Sequence, residues 1–326
     1  MIDQSYQEHV TRNSNIINDI LHCDKKDGSG LNDFQQLPTD IAVRIPKVGI
    51  NEYRLPINVK NKFGETRGHD AVASMYVSLD AQKNGVSMSR LCRILQEMAM
   101  EDAVNLNFFK TILNRYKSEL VDDPVKDVID DAFIKLKFNY AVKQKSLKSD
   151  NWGWQYYPVA ISAKLNSQNQ FDFMIELTYQ YSSTCPCSLS MAKQYEQEFA
   201  SGKNTEGSGV GVPHSQRSKM TCKIKLSEKV ESYYIEDLLY LLKQAIPTET
   251  QSLVKRVDEQ AFAILNGTHP MFVEHASKRI YSVLNEQEDL KDWIVELEHI
   301  ESLHNHNAAA VIYKGIAGGF TADKIF

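Results

Sequence analysis

Strand-like and helix-like hydrophobic patterns follow one another along the first half of this chain. Apolar and polar residues alternate over 71–79 and 134–142, which predicts two strands. A further strand is predicted over 154–165, and another is assumed around 55–61. Apolar residues at helical spacing predict helices over 88–98 and 108–120. This half therefore has the order strand, strand, helix, helix, strand, strand.

The second half repeats this order. Alternating residues predict strands, and helical spacing predicts helices, in the following segments: strands over 171–181, 220–226, 293–297 and 308–316; helices over 235–242, 253–264 and 270–280. Alternation with one polar face is typical of antiparallel sheets that carry helices on the other face. We therefore predict an α+β fold of two tandem ββααββ units with antiparallel sheets and helices on one face. The expected domains are 46–168 and 169–326, preceded by a polar N-terminal extension over 1–45.

Composition narrows the class of protein. Of the 326 residues, 42% are hydrophobic and 24% are charged, as in a soluble globular protein. The net charge of -5 provides no basic field, so we expect no nucleic acid as a partner. No apolar run approaches the ~18 residues of a membrane span, so we expect no membrane partner either. No secretory signal is readable, and five irregularly spaced cysteines favour reduced thiols, so we expect a cytoplasmic protein.

The strongest chemical signal is Cys185-Pro186-Cys187, followed downstream by His214. Cys185 ends one predicted strand and His214 begins the next, so the two side chains can meet across a hairpin. Thiolate and imidazole are zinc ligands. On extended backbone the two thiols would point in opposite directions, which leaves one as a ligand and the other as a neighbour. The alternative is a structural or redox cysteine pair.

Several other polar residues could have either a role in the chemistry or an ordinary structural or surface role. Glu259 lies on a predicted helix and Glu274 begins the next one, where a carboxylate also stabilises the helix macrodipole. His304 and His306 flank a turn and could transfer protons near neutral pH, or be exposed turn residues. Arg217 could bind phosphate, or form the solvent face of its strand.

Together these motifs resemble the type IB GTP cyclohydrolases, metal-dependent enzymes of the tunnelling-fold superfamily that open the purine ring of GTP. The matching segments are 85–90, 184–188, 214–218, 258–259, 270–274 and 301–306. The resemblance extends from about residue 45 to the C-terminus. It implies two tandem tunnelling-fold units per chain and a homotetramer with active sites near subunit interfaces.

The resemblance also implies a site for one divalent metal per subunit, which could be Zn²⁺, Mn²⁺ or Fe²⁺. Its ligands would be Cys185, His214 and Glu259, with water in the remaining position. The substrate would be GTP, and the products formate and 7,8-dihydroneopterin triphosphate, at the first step of tetrahydrofolate and pterin biosynthesis.

The remaining roles concern the substrate. The resemblance implies that Glu274 anchors guanine, because the N1–H and 2-amino group of guanine present two donors side by side to a carboxylate. His304 and His306 would transfer protons or contact the substrate, and Cys185 would belong to the catalytic centre as a ligand. Arg217 is a candidate for the triphosphate.

Two other functions fit the same residues. One is a different tunnelling-fold purine or pterin enzyme that uses a cysteine as nucleophile, without a metal. The other is a non-catalytic purine-binding metalloprotein, in which a structural zinc would have four protein ligands and no open position.

Overall fold

The computed structural model describes residues 41–121 and 128–325, together with Glu8 and Thr39. Within these residues the chain forms nine strands and six α-helices, and it ends in a 3-10 turn over Ala322–Ile325. The strands are β1 (Ile45–Lys60), β2 (Thr66–Leu79), β3 (Ala103–Val104), β4 (Ala132–Lys145), β5 (Trp152–Leu165), β6 (Phe171–Thr184), β7 (Ser215–Leu226), β8 (Leu290–His299) and β9 (Ala308–Tyr313). The helices are α1 (Met88–Glu101), α2 (Leu106–Glu119), α3 (Pro186–Ala200), α4 (Ile235–Ala245), α5 (Arg256–Thr268) and α6 (Val273–Leu284).

All nine strands belong to one sheet. Its order is β3-β1-β2-β4-β5-β6-β7-β8-β9, and every neighbouring pair is antiparallel except the short β1–β3 pair. The two halves of the chain join where β5 pairs with β6, from Val159 opposite Leu177 to Leu165 opposite Phe171. The predicted mixed α+β class is confirmed.

One hydrophobic core lies between the inward face of the sheet and helices α1, α2, α4 and α6. In β4 the buried residues Ile134, Leu136 and Phe138 alternate with lysines that remain accessible to solvent. Trp293 of β8 is fully buried and meets Tyr281 of α6 edge to face, with ring centroids 5.5 Å apart. Burial of these alternating apolar residues is the main source of stability for the sheet.

Most of the predicted elements are present near their predicted positions. The assumed strand around 55–61 is the end of the longer strand β1, and the helix predicted over 253–264 begins at Arg256. The predicted N-terminal extension lies outside the described residues up to residue 40, apart from Glu8 and Thr39. Among the described residues, the chain forms no helix long and apolar enough to cross a membrane.

The Cys-Pro-Cys motif adopts a different local structure from the extended one that we expected. Cys185 caps helix α3, Pro186 is its first residue, and Cys187 lies exposed on its first turn. Proline suits this position because its fixed φ angle is helical and its missing N–H has no partner there to lose. The thiols therefore diverge because a helix begins between them, and not because of strand alternation.

A buried carboxylate fixes the start of helix α5. The carboxylate of Asp258 accepts hydrogen bonds from the backbone N–H groups of Lys148, Ser149 and Lys255, at 2.8 to 2.9 Å, and from Ser149 Oγ at 2.6 Å. Burial opposes ionisation of Asp258, yet these four hydrogen bonds hold its pKa well below its usual value. The acidic residue that is buried here is thus a structural link to the β4–β5 loop.

Candidate active site

Cys185 and His214 lie side by side at the connected end of the β6–β7 hairpin. Thr184 and Ser215 are the last paired residues of the two strands, and the Cys185 N–H donates to the His214 carbonyl at 3.2 Å. The backbone N–H of His214 in turn donates to Ser188 Oγ in the first turn of α3, at 3.2 Å. Strand pairing therefore brings the thiol and the imidazole together, while α3 and its following loop extend away from the sheet.

The segment before α6 forms a second wall next to this pair. The Met271 N–H donates to the Thr184 carbonyl at 3.0 Å, so the segment lies against the end of β6. Phe272 then caps α6, and Glu274 follows in the first turn of that helix. This backbone contact determines that Glu274 faces the same space as Cys185.

These elements enclose a cavity of about 340 Å³, which we call the central cavity. Its lining comes from four places in the chain: Cys185; His214 and Gln216; Met271, Phe272, Val273 and Glu274; and His299, Glu301, His304 and Ala308. A thiol, three imidazoles and two carboxylates thus share one cavity. Such a set can coordinate a metal, transfer protons and accept hydrogen bonds from a polar ligand.

Polar neighbours hold the ring of His214. Its Nδ1 lies 3.2 Å from Gln216 Oε1 and 3.7 Å from Glu301 Oε2. Gln216 Nε2 donates to Glu301 Oε1 at 3.3 Å and to Ser183 Oγ at 3.0 Å, which fixes the direction of the amide. With an N–H at Nδ1 donating to Gln216, the lone pair of His214 lies at Nε2, as a metal ligand requires.

His299 lies buried at the base of the central cavity, 1% exposed. Its Nε2 is 3.0 Å from Tyr181 Oη. Burial lowers the pKa of His299 to about 4, although the charge of Glu274 acts in the opposite direction. His299 is therefore a neutral imidazole at physiological pH and presents one donor and one acceptor to its surroundings.

Not all of the predicted site residues line the central cavity. His304 does, and His306 stacks on it with ring centroids 4.9 Å apart. Arg217 is exposed, between the buried residues Gln216 and Ser218, so strand alternation directs it to the opposite face of the sheet. Glu259 is exposed near the start of α5, and the nine residues from there to Thr268 correspond to roughly 14 Å of helix.

The donors at the cavity fit a divalent metal in part. Cys185 is a free, half-buried thiol beside His214, and such a thiolate and imidazole pair suits Zn²⁺ and neighbouring transition metals. Within the described part of the chain, however, no group of three or more His, Cys, Asp or Glu side chains is arranged to hold a metal. Glu301 is the carboxylate beside His214, while Glu259 is not part of the cavity lining.

Three residues at this site had no predicted role. Gln216 and Glu301 fall inside motifs that the sequence singled out, but as polar residues on a strand and in a turn they had no distinguishing pattern. His299 is the last residue of the alternating pattern of β8, and an inward position in such a pattern predicts only that the side chain is buried. Gln216 is two residues from His214 in the chain, whereas the proximity of His299 and Glu301 depends on the pairing of β7 with β8, in which Ser218 lies opposite His299.

The fold and the cavity describe a mixed α+β protein with a site of one thiol, three imidazoles and two carboxylates. Residues 31–310 match the family described as type I GTP cyclohydrolase FolE2. The chain belongs to this family. The prediction of a GTP cyclohydrolase is thereby confirmed.

Individual relatives agree with this assignment. The chain is 33% identical over 296 residues to "GTP cyclohydrolase FolE2" of Hydrogenovibrio crunogenus, covering 86% of this chain and 92% of the relative. It is 35% identical over 291 residues to the protein of the same name from Cereibacter sphaeroides, with 88% and 76% covered. Among solved structures, a uricase from Arthrobacter globiformis aligns with a TM-score of 0.48 at 10% identity, covering 86% of this chain and 96% of the uricase.

Proposed function

We propose that this GTP cyclohydrolase is of the metal-dependent type IB and that its reaction takes place in the central cavity. Hydrolysis at C8 opens the imidazole ring of the purine, and a second hydrolysis releases formate. Rearrangement of the ribose and ring closure, which expels a water, then give 7,8-dihydroneopterin triphosphate. The observation that carries this proposal is that Cys185, His214, Glu274 and His304 all line one cavity.

Different residues of the cavity act on the two ends of the purine. Glu274 accepts hydrogen bonds from the N1–H and 2-amino group of guanine, a bidentate arrangement that selects guanine over adenine. His304, supported by the stacked ring of His306, donates a proton to N7 as water adds to C8. The neutral imidazole of His299 holds a hydrogen bond at the base of the cavity without adding a charge.

We assign the divalent metal, Zn²⁺, Mn²⁺ or Fe²⁺, to Cys185, His214 and Glu259. When bound, the metal supplies the Lewis acidity that activates water near neutral pH. Two of these donors lie at the cavity, and Gln216 with Glu301 fixes the ring of His214. Glu259 does not line the cavity in the single chain, and the metal content of Glu259→Gln tests its assignment.

We propose that the two halves, 46–168 and 169–326, are tandem tunnelling-fold units and that four chains assemble. The boundary falls in the turn between β5 and β6. The first half begins with the strands β1 and β2 and ends with β4 and β5, and the second half ends with β8 and β9. The sheet is open, with β9 at one edge and most of β1 at the other, and unpaired edges favour pairing with another chain. Light scattering of the purified protein at several concentrations tests the homotetramer.

We also propose that the enzyme acts in the cytoplasm. The four described cysteines, Cys92, Cys185, Cys187 and Cys222, are free thiols, which suits a reducing compartment. A reduced Cys185 is also required if its thiolate is to bind a metal.

The decisive test is incubation of the protein, loaded separately with Zn²⁺, Mn²⁺ or Fe²⁺, with GTP. We expect one equivalent of formate for each fluorescent pterin formed after oxidation of the product. Absence of formate with all three metals would contradict the reaction. Activity in a protein that has been stripped of metal and shown to contain none would favour a cysteine nucleophile instead.

A further inference from the structure

The central cavity lacks the charge needed for a triphosphate. Among the described residues, no lysine or arginine contributes to its lining, and Glu274 and Glu301 make it acidic. A triphosphate has about four negative charges at neutral pH and requires cationic donors. The phosphates of a substrate whose base occupies this cavity must therefore lie elsewhere.

A second cavity of about 460 Å³ lies next to the first, and we call it the basic cavity. It is lined by Pro186, Pro270, His275, Lys278 and Arg279. Three of its residues directly follow or precede residues of the central cavity in the chain: Pro186 follows Cys185, Pro270 precedes Met271, and His275 follows Glu274. The linings of the two cavities are thus adjacent along the chain at three points.

Lys278 is exposed and Arg279 is half-buried, and both residues line the basic cavity. Among the described residues, no carboxylate lies within 4.0 Å of the charged groups of Lys278 or Arg279. Arg279 Nη2 donates to the Pro270 carbonyl at 3.5 Å, at the limit for a hydrogen bond, and Pro270 directly precedes Met271 of the central-cavity lining. His275 packs against Phe272 with ring centroids 5.3 Å apart, so its ring is also held at this rim.

The helix sets the spacing between the two cavities. Glu274 and Lys278 are four residues apart on α6, and they therefore lie on the same face of the helix, about 6 Å apart along its axis. A ligand held by a hydrogen-bonding base at Glu274 can extend along this face toward Lys278 and Arg279. The guanidinium of Arg279 can donate two parallel hydrogen bonds to phosphate oxygens.

We propose that the basic cavity, through Lys278 and Arg279, binds the polyphosphate of the nucleotide whose base lies at Glu274. This proposal rests on the proposed function for the position of the base. It assigns the phosphates to the α6 side of the site, away from Arg217 on the opposite face of β7.

Two simple probes test this proposal by calorimetry on the purified, metal-containing protein: inorganic tripolyphosphate and guanosine. The variant Lys278→Gln/Arg279→Gln should raise the Kd for tripolyphosphate at least about tenfold, because two charge-assisted contacts are lost. The Kd for guanosine should stay the same. The charge-conserving variant Lys278→Arg/Arg279→Lys should lose less affinity for tripolyphosphate than the double glutamine variant, because both positive charges remain although the paired donors move from residue 279 to residue 278.

The matched control is Lys229→Gln, an exposed lysine beyond the other end of β7, which should leave both Kd values unchanged. Equal binding of tripolyphosphate to the wild type and to the double glutamine variant would overturn the proposal. Loss of that binding in Arg217→Gln alone would also overturn it. The calorimetry needs no turnover, so the two proposals can fail separately. A protein that binds tripolyphosphate at this cavity but forms no formate from GTP would contradict the proposed reaction and still support phosphate binding at the basic cavity.

Discussion

The backbone N–H of Cys185 donates to the carbonyl oxygen of His214 at 3.2 Å, which closes the β6–β7 hairpin at the edge of the central cavity. Helix α3 and the loop after it lie between these two residues in sequence, and α3 has no buried residue. The thiol and the imidazole are therefore positioned by strand pairing, and the intervening segment is free to vary in length. We expect the metal site to depend on the sheet more than on α3.

The first prediction concerns the metal ligands. Cys185→Ser and His214→Ala should each reduce bound metal to a small fraction of one equivalent, because a three-ligand site that loses one donor binds metal far more weakly. Glu259→Gln should do the same. Metal content after dialysis, measured by inductively coupled plasma mass spectrometry, checks all three.

Glu301→Gln is the matched comparison for Glu259→Gln, since Glu301 is the carboxylate beside His214. It should retain most of the metal. If Glu301→Gln loses the metal and Glu259→Gln keeps it, the ligand set is Cys185, His214 and Glu301, and the assignment of Glu259 is wrong.

The second prediction concerns Gln216, whose amide holds His214 at Nδ1. Gln216→Leu should weaken metal binding by about 10- to 100-fold, as is typical when a partner of a ligating histidine is removed. Titration with a competing chelator measures the change. Lys219→Gln is the control and should have no effect, since this lysine of the same strand β7 faces outward and pairs with Glu298 of β8. Unchanged metal affinity in Gln216→Leu would show that the amide does not orient the ring.

The third prediction separates substrate from metal. Glu274→Gln should weaken guanosine binding by about 10- to 100-fold, because a charge-assisted bidentate contact becomes a neutral one with one donor facing another. Its metal content should stay at the wild-type level. Equal losses of guanosine and metal would identify Glu274 as a ligand.

The fourth prediction is an acid-side loss of stability caused by His299. Its pKa is about 4 in the folded protein and about 6.5 in the unfolded chain. Between these values the unfolded chain binds a proton that the folded protein does not, so stability is complete above pH 6.5 and decreases as the pH falls toward 4. The total contribution is roughly 3–4 kcal/mol.

Urea unfolding from pH 7.5 to pH 4.5 tests this contribution. His299→Gln should lower stability at pH 7.5 but flatten the decrease on the acid side. His269→Gln, which alters a half-buried histidine at the end of α5, is the control and should retain the wild-type slope. An unchanged slope in His299→Gln would assign the acid sensitivity to other groups.

The fifth prediction concerns Asp258. Asp258→Asn should lower the midpoint of thermal unfolding by several degrees, because an amide N–H₂ would face donors that now bond to a carboxylate. Hydrogen exchange should increase in the β4–β5 loop and in the first turn of α5. Glu65→Gln, an exposed carboxylate in the β1–β2 turn, should leave both regions unchanged. Faster exchange throughout the protein would instead indicate a global loss of stability.

The hydrophobic pattern predicted most of the fold because each strand and helix that faces the core shows its own period. Helix α3 was missed although Leu189, Ala192, Tyr195 and Phe199 recur at helical spacing, because the helix buries no residue and the Cys-Pro-Cys motif at its start was predicted to be extended. The domain boundaries and the duplicated units remain predictions. The N-terminal extension cannot be compared with the structure, because it lies almost entirely outside the described residues.

The sequence predicted the residues of the functional site less completely than it predicted the fold. Cys185, His214, Glu274 and His304 were identified from motifs and now lie at one cavity. Arg217 and Glu259 were identified from equally good motifs, but the structure has them outside that cavity. A motif specifies which side chains are present, whereas strand alternation and helix length decide which of them face the same space.

The sequence by itself therefore determined most of the secondary structure, the α+β class, the family and the chemical groups of the site. Tertiary structure alone decided that Gln216 and Glu301 hold the ring of His214, that His299 is buried and neutral, and that Lys278 and Arg279 form a basic cavity beside an acidic one. The physical reason is that periodicity is a local property of the chain. Contacts between β7, β8 and α6 depend on pairing and packing over long sequence separations, which no local pattern encodes.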